Sequence, residues 1–367
     1  MDTKEFEKLL LETVIPANAP LQDQASKNER LYSCAQKTMT EALFRYRKCD
    51  ERSIDAFYRD KVWVSTADCM NDGFDTRLYF DKQAILDWKA QFESEDFIKD
   101  TLSFFEEGKG LPPSMAVFPG LEQMYRSISE SPIQQKQSLA DLFINFIRID
   151  IGGIVEALAP ITQQTLKFCC LSERIDSSAM WGLYANDETG FALAYDCRNL
   201  YSDVPPENGF KRLCSCLPII YSESRFQVPD EYIIFLLTYR LMKIAIQNSG
   251  YERFAPIAAQ VILDGLVCPD NLVPTKIALH KSNEWKREEE WRLFCSSAGD
   301  PDFTNAKHAC FTLKPTALYL GRRISSIYEK ILTDIARDKN ILVYKMSLND
   351  DSPSYELIPE RISNSSS

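Results

Sequence analysis

The stretch from Leu171 to Asp196, LSERIDSSAMWGLYANDETGFALAYD, limits the possible folds more than any other part of the chain. Its pattern predicts a strand that ends near Glu173, a short helix, a turn from Asn186 to Gly190, and a second strand. A short helix between two strands is typical of a domain that mixes sheet and helix.

The same stretch carries side chains that indicate a candidate site. Trp181 and Tyr184 are three residues apart, so they share one face of the predicted helix. Ser172, Glu173 and Asp196 fall at strand ends, where side chains reach a cleft. A structural interpretation stays open, because a Trp and a Tyr at helical spacing also suit a core, and an acid at a strand end also suits a cap.

Similar strand-like runs occur on both sides of this stretch. LFRYR and KVWVST precede it, and HACFTLK, ALYLG, ILVYKMS and SYELIPE follow it. Amphipathic helical patterns fill about 82–160 and 229–268. The chain is therefore predicted to be an α+β protein with a split, mostly antiparallel or mixed sheet and two helical insertions.

Domain boundaries follow from the same pattern. Residues 1–41 are predicted to form an N-terminal helical segment, with helices over 3–14 and 29–40 separated by Pro16 and Pro20. Residues 42–347 are predicted to form the main domain with its two insertions. Residues 348–367 are predicted to form a C-terminal strand and a frayed polar tail.

Composition disfavours several classes of protein. The formal net charge of −11 argues against a protein that mainly coats nucleic acid, and two histidines argue against His-rich zinc sites and most Ser-His-Asp systems. Eleven cysteines, an odd number with no CxxC pair, indicate reduced thiols. Because there is no long apolar run and no secretory signal, we expect a cytoplasmic protein with no membrane partner.

Charged side chains alternate along a predicted strand near the start of the chain. Arg45 and Arg47 alternate with Phe44 and Tyr46, so both guanidinium groups point to one face and both rings to the other. Ser65 lies on the next predicted strand. A core does not favour these polar groups, so they are candidates for a site.

A second charged strand lies near the other end, where Glu288, Glu290 and Arg292 alternate along KREEEWRLF. Buried charges need partners, so one interpretation pairs Arg45 or Arg47 with these glutamates in a structural ion pair. In the other interpretation, the arginines, the serine and a glutamate line a cleft for an anionic, nucleotide-like ligand. Arginine presents a planar fork that matches phosphate and carboxylate.

Two loops have residues typical of turns. Asn71, Asp72 and Gly73 in CMNDGFD suit a turn that includes a left-handed residue. Gly321 and Arg322-Arg323 follow the strand-like run ALYL, and ligands often bind where strands end in α/β sheets. Neither GxxxxGK[ST] nor GxGxxG is present.

Five segments match a known series of patterns: LFRYR, VWVST with CMNDGFD, FCCLSERIDSSAMWGLYANDETGFALAYD, HKSNEWKREEEWRLF, and ALYLGRRIS followed by VYKM. In this order they resemble the bacterial family catalogued as domain of unknown function 2971, and the Met-Trp-x-x-Tyr-Ala and Glu-Trp-Arg motifs are the most specific. Gly73 replaces the family's usual proline, Gly182-Leu183 its usual Ser-His, and Glu188 a common His. The resemblance implies that the Arg, Ser and Glu segments converge in one domain.

The order of Arg, Ser and Glu also resembles the layout of ADP-ribosyltransferases, whose split sheet binds NAD. This resemblance implies NAD as a substrate, no metal, and an unknown protein or nucleic-acid acceptor. It implies that Arg45 or Arg47 holds the pyrophosphate or ribose, Ser65 shapes the nicotinamide pocket, and Glu290 stabilises an oxocarbenium-like transition state or activates the acceptor, with Arg47, Ser65 and Glu290 as the catalytic residues. The further cofactor contacts that it implies are Arg45, Tyr46, Glu173, Trp181, Tyr184 and Arg292. A bacterial stress, toxin or phage-defence role would suit such relatives.

Two other functions remain open from the sequence. The first is a non-catalytic sensor or adaptor, in which the Arg-Glu pairs are structural and the helical insertions bind a protein partner. The second is a metal-dependent nuclease or phosphotransferase that uses Asp72, Asp75, Glu173 and Asp196, although their spacing matches no known ligand pattern.

Overall fold

The computed structural model of the chain describes residues 3–106, 144–200, 209–248, 263, 265–297, 299–353 and 355–362. Two helices come first, α1 (Lys4–Glu12) and α2 (Leu21–Gln36). The prediction of a helix over 29–40 is wrong at both ends. Helix α2 begins directly after Pro20, which is its N-cap residue and whose fixed φ of −52° is compatible with a helix start.

The centre of the molecule is a ten-stranded sheet, and the predicted α+β class with a mixed, mostly antiparallel sheet is confirmed. Its strands are β1 (Leu43–Arg47), β2 (Lys61–Thr66), β3 (Lys167–Ser172), β4 (Phe191–Tyr195), β5 (Arg212–Pro218), β8 (Glu290–Ser297), β9 (His308–Thr312), β10 (Ala317–Leu320), β11 (Leu342–Leu348) and β12 (Leu357–Arg361). The order is β12-β11-β10-β4-β1-β3-β2-β9, with β8 on β3 and β5 on β8. Strands β6 (Ile220–Ser222) and β7 (His280–Ser282) form a separate parallel pair.

The remaining helices connect or cover these strands. They are α3 (Glu51–Tyr58), α4 (Lys82–Ala90), α5 (Glu95–Glu106), α6 (Gly152–Leu158), α7 (Ser178–Tyr184), α8 (Asp230–Asn248), α9 (Val273–Ala278), α10 (Pro301–Asn305) and α11 (Ser326–Asp338). In the part of the chain that the structure describes, none of the helices is long and apolar enough to cross a bilayer.

The two predicted helical insertions contain α4, α5 and α6 in the first and α8 in the second. Residues 107–143 and 249–262 of these ranges lie outside the described residues. The described helices pack on one another around Ile85, Phe146, Leu158, Leu237 and Met242, in a cluster of buried side chains separate from the one under the sheet. The division into domains stays a prediction.

The sheet opens between β1 and its neighbour β3. These two strands pair only at Phe44 and Ser172, and β2 pairs with β3 only at Ser65 and Thr66. Strand β3 instead pairs along five residues with β8. Because β1 and β2 each contact β3 at only one end, they diverge and leave a space between them.

Residues Leu171 to Asp196 form the end of β3, α7, a turn and β4. Ser177 caps α7 by accepting a hydrogen bond from the backbone N–H of Met180. In the turn, Asn186, Asp187 and Glu188 all have positive φ, between 50° and 64°. Asn and Asp tolerate this conformation better than most residues, which is why the chain can reverse so sharply here.

Gly190 ends this turn and is expected to tolerate no side chain. A Cβ atom there would lie 2.8 Å from the carbonyl oxygen of Ala185 and closer still to that of Arg47. We expect Gly190→Ala to lower the free energy of unfolding by about 3 kcal/mol, because two backbone segments would have to move apart. Urea denaturation measures this change. The control is Gly153→Ala in α6, where a Cβ meets nothing within 4 Å and should be neutral or stabilising; equal effects of the two variants would contradict the prediction.

Candidate functional site

A cavity of about 580 Å³ occupies the space between the diverging strands β1 and β2. Its volume lies within the range of about 300–1,000 Å³ that is typical of small-molecule sites. The polar and aromatic side chains in its lining include Arg45, Tyr46, Arg47, Arg52, Trp63, Ser65, Asn71, Cys170, Tyr184, Lys281, Glu288, Glu290 and His308. They come from β1, α3, β2, β3, α7, β7, β8, β9 and the loops beside them.

Most of the residues selected from the sequence meet in this cavity. Arg45, Tyr46, Arg47, Ser65, Tyr184 and Glu290 line it. Glu173, Trp181 and Arg292 are not among the lining residues. The structure thus brings the first arginines and the late glutamate into one hollow, and their roles in binding or catalysis stay predictions.

One end of the cavity carries arginines that form no ion pair with any acid in the described part of the chain. Arg45 donates a hydrogen bond from Nη2 to the carbonyl oxygen of Trp63 at 2.6 Å, and its buried Nη1 has no hydrogen-bond partner among the described residues. Arg47 is half-buried and forms no ion pair with any described residue. Burial, reinforced by the nearby charge of Arg45, lowers the pKa of Arg47 to about 9. Guanidinium groups in this state favour a bound anion.

The other end of the cavity carries a buried network of opposite charges. Lys281 Nζ donates to Glu288 and to Glu290, both at 2.7 Å. Arg292 Nε donates to Glu290 at 2.9 Å, and the Arg292 guanidinium also forms a two-point pair with Asp75. The predicted ion pair between a β1 arginine and these glutamates is therefore wrong. The reason is the sheet order, which places β8 between β3 and β5, so that β3 separates β8 from β1.

Glu290 is ionised in this network. Burial on its own would raise the pKa of Glu290, but the charges of Arg292 and Lys281 outweigh burial and hold the pKa at about 2. A carboxylate in this state can stabilise a developing positive charge. It is poorly suited to accept a proton near neutral pH.

Tyr184 joins Glu288 to the rim of the cavity. Its hydroxyl donates to Glu288 Oε1 and accepts a hydrogen bond from Asn71 Nδ2 at 3.3 Å. Burial and the charge of Glu288 raise the pKa of Tyr184, so the phenol stays protonated. Glu288 itself lies in a 3-10 helix, Asn283–Glu288, and not on the predicted continuous strand. Glu289, whose backbone is left-handed with φ of 41°, separates Glu288 from β8. Glu288 and Glu290 nevertheless both form an ion pair with Lys281.

Ser65 has a partner that the sequence analysis missed. Ser65 on β2 lies directly opposite His308 on β9, and Ser65 Oγ is 2.9 Å from His308 Nδ1. Lys281 was missed as well, although it bridges the two glutamates. The only sequence signal for His308 was its rarity, and nothing in the local pattern distinguished Lys281 from other lysines.

Three of the predicted cofactor contacts serve the packing. Trp181 is fully buried, donates from Nε1 to the carbonyl oxygen of Ile175 at 2.7 Å, and packs edge-on against Tyr46 at 5.1 Å. Glu173 accepts a hydrogen bond from Trp291 Nε1 at 2.8 Å. Arg292 is fully buried behind Glu290. None of the three is among the residues that line the cavity, and their roles as cofactor contacts stay predictions.

Other candidate residues also have partners. Arg322 pairs with Glu188 at 2.8 Å, and a Cβ at Gly321 would collide with the backbone of the same turn, so this loop packs on α7–β4. Asp196 pairs with Arg198. Among the described residues, no group of three or more His, Cys, Asp or Glu side chains is arranged to hold a metal ion.

Comparison with known protein families gives a match in the middle of the chain. Residues 180–293 match the family described as protein of unknown function (DUF2971). No curated protein and no solved structure matches the chain, and the resemblance to ADP-ribosyltransferases is not confirmed. The matched residues include Tyr184, Lys281, Glu288 and Glu290 of the cavity. The Met-Trp and Glu-Trp-Arg motifs both lie within this match, so the resemblance to the DUF2971 family that they predict is confirmed over these residues.

Proposed function

We propose that the cavity binds NAD and that the protein is an ADP-ribosyltransferase-like enzyme. The observation that supports this proposal most is the charge of the cavity: two arginines that form no ion pair with any described residue share it with Ser65 and an ionised Glu290. A pyrophosphate would neutralise these arginines and would accept a hydrogen bond from Arg45 Nη1, which has no partner in the described part of the chain.

The arginine end of the cavity suits the pyrophosphate of NAD, and the Glu290 end suits the glycosidic bond that breaks. Breaking the glycosidic bond of NAD releases neutral nicotinamide, which takes the bonding electron pair, and leaves positive charge on the ribose carbon. The Glu290 carboxylate can stabilise that charge. The acceptor then forms a bond to the ribose carbon, and its proton leaves to solvent or to another base. The low pKa of Glu290 favours electrostatic stabilisation over acceptor activation, the two roles that the sequence left open.

Transfer of label from NAD tests this function. With the full chain, NAD labelled in the adenylate part and a mixture of protein and nucleic-acid acceptors, Glu290→Gln is expected to lower labelling by about 100-fold or more, because the charge opposite the transition state is lost. Glu289→Gln is the matched control, since Glu289 is adjacent but does not line the cavity. Circular dichroism confirms that each variant is folded. Equal labelling by both variants would contradict the proposal.

The two alternative functions stay predictions, and a simple measurement tests each of them. An adaptor would show no change of melting temperature with NAD and would retain its partner in Glu290→Gln. A metal-dependent nuclease would lose activity with a chelator. For that alternative, Asp75, Glu173 and Asp196 are each already bound to another side chain, and they do not come together.

A further inference from the structure

We propose that Trp63 and Arg52 form a stacking platform for the heteroaromatic base of a nucleotide bound in the cavity. This platform depends on the proposed function only because it requires a nucleotide ligand. A base site at these residues was not predicted from the sequence. Trp63 lies on β2 and Arg52 on α3, and both line the cavity. The Arg52 guanidinium carbon lies 4.7 Å from the centre of the Trp63 ring.

Trp63 differs from the tryptophans that hold the core together. Trp181 and Trp291 are fully buried, and the indole N–H of each donates to a protein oxygen. Trp63 is only half-buried, belongs to none of the buried clusters, and has no partner for its indole N–H among the described residues. A half-exposed indole with a free N–H, facing a cavity, is typical of a ligand contact.

Arg52 supports the same interpretation. It forms no ion pair with any residue in the described part of the chain, and its contact with Trp63 is a stack of a planar cation on an aromatic face. Nucleic-acid bases stack on both indole rings and guanidinium planes. Trp63 and Arg52 therefore offer a surface suited to a flat base.

The platform lies directly beside the anion end of the cavity. Arg45, whose Nη1 is unpaired, holds the backbone carbonyl of Trp63 through Nη2. A base on Trp63 and a pyrophosphate at Arg45 and Arg47 would thus be neighbours, as they are within an adenosine diphosphate group. The remainder of a dinucleotide would then extend from the pyrophosphate into the part of the cavity that Glu290 lines.

Calorimetric titration of the full chain with two probes tests the platform. ADP-ribose carries both a base and a pyrophosphate, whereas inorganic pyrophosphate carries no base. Trp63→Ala is expected to weaken ADP-ribose binding by about tenfold or more and to change pyrophosphate binding by less than about twofold. Trp63→Phe, which keeps an aromatic face, is expected to restore most of the affinity. Tyr58→Ala on α3 is the control, because it removes an exposed ring that does not line the cavity.

Each result either supports or overturns the platform. Unchanged ADP-ribose affinity in Trp63→Ala, an equal loss for both probes, or no binding of either probe by the unaltered protein would overturn it. Transfer of label from NAD separates this proposal from the proposed function. If ADP-ribose binding depends on Trp63 but no label is transferred, the transferase activity alone is overturned. If Trp63→Ala transfers label at limiting NAD as well as the unaltered protein does, the platform alone is overturned.

Discussion

Arg47→Met is expected to abolish NAD binding and, at the same time, to raise the free energy of unfolding by about 1–3 kcal/mol. Arg47 is a half-buried charge that forms no ion pair with any described residue, and the neighbouring Arg45 repels it. Methionine keeps the length of the side chain and removes the charge. A residue retained at a cost to stability is typical of a binding site. Calorimetry with NAD and urea denaturation measure the two changes.

The stability difference between Arg47→Met and the unaltered protein should depend on pH. The pKa of Arg47 in the folded protein is about 9, below its usual value of 12.5, so the charged form destabilises the folded state. That destabilisation is fully present below about pH 9 and is relieved as the pH rises from there toward 12.5. The advantage of methionine should therefore be largest near neutral pH and shrink in alkali.

Arg59→Met is the matched control for Arg47→Met. Arg59 is exposed and pairs with Asp55 within the same short segment, at 2.8 Å. Its replacement should change stability by less than about 0.5 kcal/mol and leave NAD binding intact. If Arg47→Met bound NAD like the unaltered protein, or unfolded more easily, the assignment of Arg47 to an anion site would be wrong.

Arg292→Met should have the opposite effect on stability, lowering the free energy of unfolding by about 3–5 kcal/mol. Arg292 is fully buried and is the partner of both Asp75 and Glu290. Its removal leaves Asp75 without its cation and Glu290 with Lys281 alone. Urea denaturation measures the loss. Arg337→Met on α11, which breaks an exposed pair with Asp334 at 2.8 Å, is the control and should be nearly neutral.

The free energy of unfolding at acid pH should depend on the same network of ion pairs. The pKa of Glu290 in the folded protein is about 2, below its usual 4.5, so its contribution to stability is present above pH 4.5 and is lost as the pH falls toward 2. In Arg292→Met the main charge that lowers this pKa is absent, so burial should raise it and the loss should begin at a higher pH. An unchanged acid transition in this variant would show that Arg292 does not hold Glu290 in its ionised form.

Several features of this protein could be predicted from local sequence. Alternating apolar residues identified most of the strands, and Asn186 to Gly190 identified the turn after α7, because side-chain period and backbone preference act within a few residues. The alternation along LFRYR placed Arg45 and Arg47 together, and both line the cavity. The resemblance of the five segments to one family predicted that the Arg, Ser and Glu segments converge, and Arg45, Arg47, Ser65 and Glu290 line one cavity.

Only the tertiary structure decided how these side chains are used. Lys281 lies on β7, away from β1, and it takes the place that the sequence assigned to a β1 arginine because β3 separates β1 from β8. Local sequence does not distinguish the burial of Trp181 from that of Trp63, but Trp181 is fully buried against Tyr46, whereas Trp63 lines the cavity between β1 and β2. Charge pairing and burial depend on which strands become neighbours, and that is set by packing across hundreds of residues, which no local pattern encodes.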